Sequence, residues 1–413
     1  MSEAYPKPSL SVASDEADPL EAIVRRGARE MLQAALEHEV DEFLGRRSYQ
    51  RTTNDAQVRG YRNGYHRQRS ITVGSGSVSV SVPRVADTAP EHRFESQLVK
   101  PYQRRSRAVD ELFPKLFVEG LATRDFEPAL RCLLGEQAAL SPSTISRLNQ
   151  KFKAEYDEWR QSSLVAHRFV YIWADGIYLK AGVGTENACV LVVIGVAMDG
   201  TKHFLALEEG YRESKESWAG VLRELKARGM SEPALAIADG ALGFWAALPE
   251  VWRHTKEQRC WFHKAGNILD KLPHKERAEA AKRLRAIYLA ADRQTAERLL
   301  RALASEWQRQ YTSAAECLLK DLEACLQFYS FPSEHWKHLR TTNPIESVFA
   351  SIRLRTDAAK RLRTARSGVH LIYQLLRRYA QSWLRISAPE RLREVALPGE
   401  RQVVAPAAEA AAA

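Results

Sequence analysis

Three carboxylates on three separate stretches of the chain could share one reaction. Asp175 follows the apolar run 170–174, Asp239 follows the apolar run 234–238, and Glu346 stands in TTNPIES (341–347), just ahead of a basic helical pattern. Each aspartate closes a run in which an uncompensated charge is expensive. Phosphodiester cleavage and transfer need an attacking oxygen made nucleophilic and a leaving oxygen stabilised in line with it. Two divalent cations about 3.5–4 Å apart do both, and hard cations such as Mg²⁺ are held by carboxylate oxygens. Two aspartates leave such a site short of a third carboxylate, which Glu346 could supply. Each residue also has a plainer reading. An Asp-Gly pair can simply begin a turn, as at 199–200, and Glu346, three residues after a candidate N-cap at Asn343 with Pro344 next, resembles a capping box.

The elements that must position these residues follow from periodicity. Residues 170–182, 188–200 and 202–210 read as three strands in close order, with a tight turn at Asp199-Gly200 joining the second to the third. A helix with Trp218, Val221, Leu222 and Leu225 inward comes next, then a buried strand at 234–240, a helix around 244–248 and an apolar stretch at 259–262. Three strands, helix, strand, helix, strand is the order of an RNase H-like fold, an α/β architecture with a mixed five-stranded sheet and helices. In that fold Asp175 and Asp239 lie on neighbouring central strands. More than a hundred residues separate Asp239 from Glu346, and from about 264 to 329 their apolar positions recur at helical spacing, so we expect an all-α insertion. The catalytic domain then occupies 165–263 and 333–390, interrupted at 264–332, with the Glu346 helix and basic helices in its last part.

A different region precedes it. Residues 1–18 read as a disordered lead-in, and 19–160 as a DNA-binding and dimerisation region. Its first element is an amphipathic helix over 20–44, whose apolar stripe could pack on its own domain or on another protomer. Between 46 and 107 thirteen Lys and Arg stand against four acids, with aromatics interleaved as in YRNGYHRQR (61–69). A hairpin turning at 74–76 follows, with Val78, Val80 and Val82 alternating with serines. Arg62, Arg67, Arg69, Arg84, Arg104 and Arg105 are the candidate contacts to a DNA backbone, the plainer reading being a solvated charged face. Between 126 and 159 a helix ends near Gly135 and another starts after Ser141, the outline of a helix-turn-helix that would present Ser143, Thr144, Arg147 and Lys151. Arg353 and Arg355 behind Glu346 extend the basic surface, and the Ala-rich end, 398–413, reads as disordered.

Composition sets the frame. The net charge of +10, with 27% charged residues, points to an anionic partner such as nucleic acid. The five cysteines are scattered, without the paired spacings of a zinc ribbon or disulfide scaffold. The longest uncharged apolar run, 188–198, falls well short of the roughly 20 residues that span a bilayer. The polar, acidic N-terminus lacks the pattern of a secretory signal, so a cytoplasmic protein is expected, with no membrane partner.

Several stretches together resemble the bacterial Mutator-type insertion-sequence transposases: YRNGYHR (61–67), VPR (82–84), the Asp175-Gly176 strand, SWAGVLRELKARG (217–229), IADGALGFWAAL (237–248), QRCWFHKAGNIL (258–269) and TTNPIES (341–347). The resemblance implies a DDE transposase on an RNase H-like domain, with Asp175, Asp239 and Glu346 as catalytic and metal-binding triad. It also implies Mg²⁺ or Mn²⁺, two ions per active site, double-stranded DNA (terminal inverted repeats and target) as partner, nucleoid association when bound, and a homodimer or higher multimer pairing two ends. A circular intermediate is the family's expectation too. It covers a Cys-x-x-His signature, Cys260 and His263. Two such ligands are half a tetrahedral zinc site and no second pair stands nearby in sequence, so His263 is expected to support the active site or reach DNA, with Cys260 in the core. The alternatives are a stand-alone nuclease with the same chemistry, or a non-catalytic DNA-binding regulator that has kept the fold.

Overall fold

The computed structural model describes residues 19–50, 60–88, 93–121, 126–134, 142–181, 187–210, 212–240, 242–358 and 364–396. The expected disordered ends and the turn at 135–141 of the expected helix-turn-helix lie outside them. By contacts the chain divides into two compact units, Met1–Leu148 and Asn149–Ala413.

In the first unit, α1 (Pro19–Leu44) ends where Gly45 adopts φ +66°, a left-handed stop that glycine takes without Cβ strain. Only its C-terminal half is well covered. Leu36 and Val40 are fully buried, Leu36 against Ile71, Val80, Val82 and Val99, whereas Leu20, Ile23, Val24 and Met31 are exposed. Four short strands follow, β1 (Tyr61–Tyr65), β2 (Arg69–Val73), β3 (Gly76–Val80) and β4 (Pro83–Ala86), paired as the ribbons β1–β4 and β2–β3. The β2–β3 hairpin brings Val73 opposite Gly76, and the expected alternation holds: Val78, Val80 and Val82 are buried. Helices α2 (Arg107–Glu119) and α3 (Phe126–Leu134) share a small core of Val109, Phe113, Phe126, Leu130 and Leu134. Helix α4 (Pro142–Arg160) comes next, its later turns in the second unit.

The second unit is built on a mixed five-stranded sheet ordered β7-β6-β5-β8-β9. Its strands are β5 (Phe169–Lys180), β6 (Asn187–Ala197), β7 (Lys202–Gly210), β8 (Leu235–Ala238) and β9 (Lys256–Arg259). The first three are antiparallel neighbours, while β8 and β9 join parallel to β5. The long strands β5 and β6 are buried almost throughout, which explains runs of β-branched residues rather than alternation. Between β7 and β8, α5 (Lys215–Ala227) crosses one face, joined there by α6 (Leu242–Val251). Trp218, Leu222, Leu225, Phe244 and Leu248 pack on Ile172, Ala174, Leu191 and Val193 of the sheet. Each such large side chain contributes on the order of 1.5–3 kcal/mol.

On the other face, Tyr171 meets Phe331 edge-on and its hydroxyl lies 2.8 Å from His335 Nδ1, while Trp173 Nε1 donates to the His338 carbonyl. These partners belong to a helical stretch that begins after β9: α7 (Trp261–Leu269), α8 (His274–Tyr288), α9 (Arg293–Trp307), α10 (Thr312–Leu319), α11 (Leu322–Leu326) and α12 (Trp336–Leu339). Helix α13 (Asn343–Ala358) returns the chain to β5, and α14 (Ala365–Ala380) packs on β7, with Tyr373 against Trp159 and Phe204. A short α15 (Leu392–Ala396) ends the described chain. Among the described residues no helix is long and apolar enough to cross a membrane.

The Asp199-Gly200 hairpin is as expected, closed by Gly200 N–H to the Ala197 carbonyl. Gly200 has φ +83°, and a Cβ there would come within 2.6 Å of Pro389. Gly200→Ala should therefore destabilise the protein by about 1–3 kcal/mol. A denaturant midpoint equal to that of the parent would show that this turn carries no such constraint.

Candidate active site

The parallel ladder sets the first pair of acids. Ala174 of β5 is in register with Ala238 of β8, so Asp175 and Asp239 come next on neighbouring strands, whose backbones run about 4.8 Å apart. Ile172 and Ala174 face α5 and α6, which turns Asp175, with Tyr171 and Trp173, toward the opposite face. Asp175 does not begin a turn: β5 continues through it, Asp175 pairing with Val192 and Gly176 with Leu191. Asp239 follows the last residue of β8, and its carbonyl accepts the Trp245 indole N–H at 2.8 Å.

Asp175 is 9% exposed, and its Oδ1 accepts the Gly176 N–H at 2.8 Å. Burial first, then the Asp239 charge, push its carboxyl up to about 7, against the opposing pull of His263 and the backbone N–H. A further acid was not legible in the sequence. Glu213, in the loop between β7 and α5, accepts from the Tyr178 hydroxyl at 3.2 Å through Oε1, while its Oε2 is buried without a hydrogen-bond partner. Burial and the Asp239 charge raise its pKa as well. A Cβ on Gly176 would lie 2.6 Å from this carboxylate, so the glycine after Asp175 is what lets Glu213 approach.

Glu346 lies in the first turn of α13. The expected cap is displaced by one residue: the Glu346 N–H bonds to the Thr342 carbonyl, so Thr342 is the N-cap and Asn343, which is exposed, is the first helical residue. The Thr342 hydroxyl bonds to Glu346 Oε1, which lies 3.9 Å from Cys260 Sγ and 3.8 Å from His263 Nδ1. Cys260 caps α7 and is fully buried. Its N–H donates to the Ala238 carbonyl at 2.8 Å, and its sulfur receives the Thr342 N–H at 3.3 Å. The next residue repeats the link, the Trp261 N–H donating to the Arg340 carbonyl at 2.9 Å. His263, in the first turn of α7, is raised to about 9, by the Cys260 sulfur beside it and by the Glu346 and Asp175 charges, against burial. Asp175 and Asp239 thus interact with each other, and His263 with both Asp175 and Glu346.

The candidate DNA contacts divide. In the first unit Arg67, Arg69 and Arg84 line a cleft with His66, Arg93 and Tyr102; Arg67, Arg84 and Arg104 are exposed, and Arg69 donates to the Val99 and Lys100 carbonyls. Arg62 instead turns inward to Glu37 and Asp41 on α1, and Arg105 pairs with Asp110 at 2.7 Å while lying over Phe113. Arg147 is exposed, and Lys151 reaches Glu155 at 3.9 Å. Arg353 is exposed over Phe349. Arg355, expected on the surface, is 8% exposed because it continues the inward stripe of Ile345, Val348 and Ile352.

These charges give stability a definite pH dependence. Asp175 is raised from 3.8 to about 7, so the folded state holds a proton that the unfolded chain loses, and stability falls as pH rises from about 4 to about 7. His263, raised from 6.5 to about 9, takes away further stability between those two values. With chelator present, melting should drop steadily from pH 5 to pH 9. Asp175→Asn should remove the lower part of that slope and stabilise the protein at pH 8 by on the order of 2 kcal/mol; a variant less stable than the parent at pH 8 would contradict the electrostatic account.

Comparison with known sequences places the chain in a family. Residues 7–386 match the family described as Transposase, Mutator family. The chain is 45% identical over 281 residues to the transposase for insertion sequence element IS6120 of Mycolicibacterium smegmatis, covering 68% of this chain and 87% of that protein. It is 41% identical to the transposase for IST2 of Acidithiobacillus ferrooxidans, over 64% of this chain and 90% of the relative. The transposase for ISRM5 of Rhizobium meliloti is 31% identical over 87% of this chain and 88% of its own length. With the family match spanning nearly all the described residues, this chain belongs to the Mutator family of transposases.

Proposed function

We propose that this transposase is of the Asp-Asp-Glu type, with Asp175, Asp239 and Glu346 as its catalytic carboxylates on an RNase H-like core. The observation that carries the reading is the pair Asp175 and Asp239, which directly follow the registered residues Ala174 and Ala238 of adjacent parallel strands, with the Asp175 carboxyl raised first by burial and then by the Asp239 charge. The mixed sheet ordered β7-β6-β5-β8-β9, with α5 and α6 on one face, supports that core. The donor set fits Mg²⁺ or Mn²⁺: hard carboxylate oxygens that repel one another and are relieved by a cation. Held as a pair by Asp175, Asp239 and Glu346, these ions would activate the attacking oxygen and offset charge on the leaving one.

The chain's own residues supply the rest. Asp175 sits on the central strand with Oδ1 fixed by a backbone N–H, and Glu346 sits in a helix's first turn, so both approach from rigid elements. His263, held cationic through neutral pH, offers positive charge beside them for a phosphate. In the first step a water oxygen bonds to phosphorus and the 3′ oxygen leaves as a hydroxyl. In the second that hydroxyl attacks a target phosphodiester, whose own 3′ oxygen departs. The first unit, with the Arg67, Arg69 and Arg84 cleft, binds the terminal inverted repeats of the element. The exposed Leu20, Ile23, Val24 and Met31 of α1 provide the seam of a homodimer or larger assembly that pairs two ends.

Asp175→Asn, Asp239→Asn and Glu346→Gln should each lower end cleavage and strand transfer of a pre-cut end by roughly 10²–10³-fold or more while end binding persists. Transposition surviving any of these in a folded protein sinks the triad, and cleavage without strand transfer would identify a plain nuclease. Replacing Arg67 and Arg84 by Glu should weaken binding to the repeats and flatten its salt dependence by roughly 0.9 in log–log slope for each phosphate no longer neutralised. An unchanged slope would move DNA binding elsewhere.

A further inference from the structure

Beside the three carboxylates stands a set of donors of different character. Cys260 Sγ, a His263 ring nitrogen and a Glu346 oxygen all lie within 4.8 Å of one another. Sγ and Nδ1 are 3.9 and 3.8 Å from Glu346 Oε1. Around a tetrahedral Zn²⁺, with bonds of about 2.3 Å to sulfur and about 2.0–2.2 Å to nitrogen or oxygen, ligand atoms stand roughly 3.3–3.6 Å apart. The sulfur and the ring nitrogen therefore each need to close on Glu346 Oε1 by only a few tenths of an ångström.

Two observations mark the cluster as more than a chance contact. His263 Nδ1 is buried without a hydrogen-bond partner, a polar atom aimed at the sulfur and carboxylate. Cys260 Sγ accepts the Thr342 N–H at 3.3 Å and sits at the N-terminus of α7, beside the Thr342 hydroxyl that bonds to Glu346 Oε1. The sequence alone offered only half a zinc site at 260–263; the missing ligand comes from residue 346, brought there by the fold.

We propose that Cys260, His263 and Glu346 form a binding site for a borderline-soft divalent cation of the Zn²⁺ kind, with a fourth position left to water. Sulfur and imidazole select such a cation over Mg²⁺, which prefers oxygen. On binding, the thiol proton and one proton of the cationic His263 ring pass to solvent, and the sulfur–metal and nitrogen–metal bonds replace them. Glu346 is then engaged on the α7 side, so Zn²⁺ takes a carboxylate from the set it would form with Asp175 and Asp239 and opposes Mg²⁺-dependent cleavage. This competition rests on the Asp-Asp-Glu reading; the binding does not.

The test uses the full-length, metal-stripped protein titrated with Co²⁺. A sulfur-to-cobalt charge-transfer band should appear and saturate at stoichiometric metal. Zn²⁺ should abolish it, and excess Mg²⁺ should not. Cys260→Ser should lack the band, His263→Ala should weaken Co²⁺ binding by roughly tenfold or more, and Asp175→Asn should keep it. No band in the parent, or a band that persists in Cys260→Ser, overturns the site. Should Cys260→Ser fail to fold, His263→Ala decides, since unchanged affinity there overturns it equally. For the competition, Zn²⁺ should inhibit Mg²⁺-driven end cleavage with the midpoint at which it displaces cobalt, and uninhibited cleavage at saturating Zn²⁺ overturns it. Cleavage that survives Asp175→Asn would sink the acid triad while leaving the spectroscopic result standing.

Discussion

Cys260 joins two parts of the chain that sequence keeps far apart. Its backbone N–H bonds to the carbonyl of Ala238, the residue before Asp239, and its sulfur receives Thr342, the cap of the helix that carries Glu346. All of this happens in a fully buried setting, where each polar group needs its partner. The neighbouring link from Trp261 to Arg340 repeats the connection. The helix that Cys260 caps is itself anchored from below: the Trp261 indole and the Gln258 amide both donate to the Cys325 carbonyl, and the buried Lys264 ammonium bonds to the Lys320 carbonyl. The helical stretch between β9 and α13 is thus the frame that returns Glu346 to the sheet.

Around that frame the electrostatics work against stability. Asp175 and Glu213 are both raised by burial and by the Asp239 charge, and His263 is the positive group that faces Asp175 and Glu346. A buried patch of like charges is costly to fold and useful once a cation or a phosphate arrives. The local backbone accommodates it through one absence, the missing Cβ of Gly176, which leaves room for Glu213.

Charge composition said that the chain meets an anion, but it could not say which arginines are available to do so. Arg62 and Arg105 spend their charge inside the first unit on Glu37, Asp41 and Asp110, and Arg355 lies on the inward stripe of α13. The partner of an arginine is set by what folds beside it: Glu37 and Asp41 lie more than twenty residues from Arg62 and leave no local mark there, and even Asp110, five residues from Arg105, is not singled out by spacing. The cap of α13 shows the same limit at short range: Asn343 and Thr342 are both good capping residues, and only the hydrogen bond from Glu346 to the Thr342 carbonyl distinguishes them.

The sequence by itself determined the local elements and their order. Apolar runs bounded by turn residues marked β5 to β8, helical periodicity marked α1, α5 and the stretch after β9, and two aspartates at the ends of apolar runs marked the acid pair; the last strand, expected at the apolar stretch 259–262, forms instead over the polar Lys256–Arg259, and Trp261 and Phe262 open α7, because an edge strand held by its parallel pairing to β8 needs no apolar run. These are consequences of hydrophobic period and turn chemistry, which act over a few residues. Tertiary structure alone decided the rest. The parallel register sets Asp175 beside Asp239, the loop before α5 brings in Glu213, and the return of α13 turns half a metal site at Cys260 and His263 into a three-donor cluster with Glu346. Each of these pairings joins residues tens of positions apart in the chain, and at that separation position is fixed by packing and backbone hydrogen bonds, which no local pattern encodes.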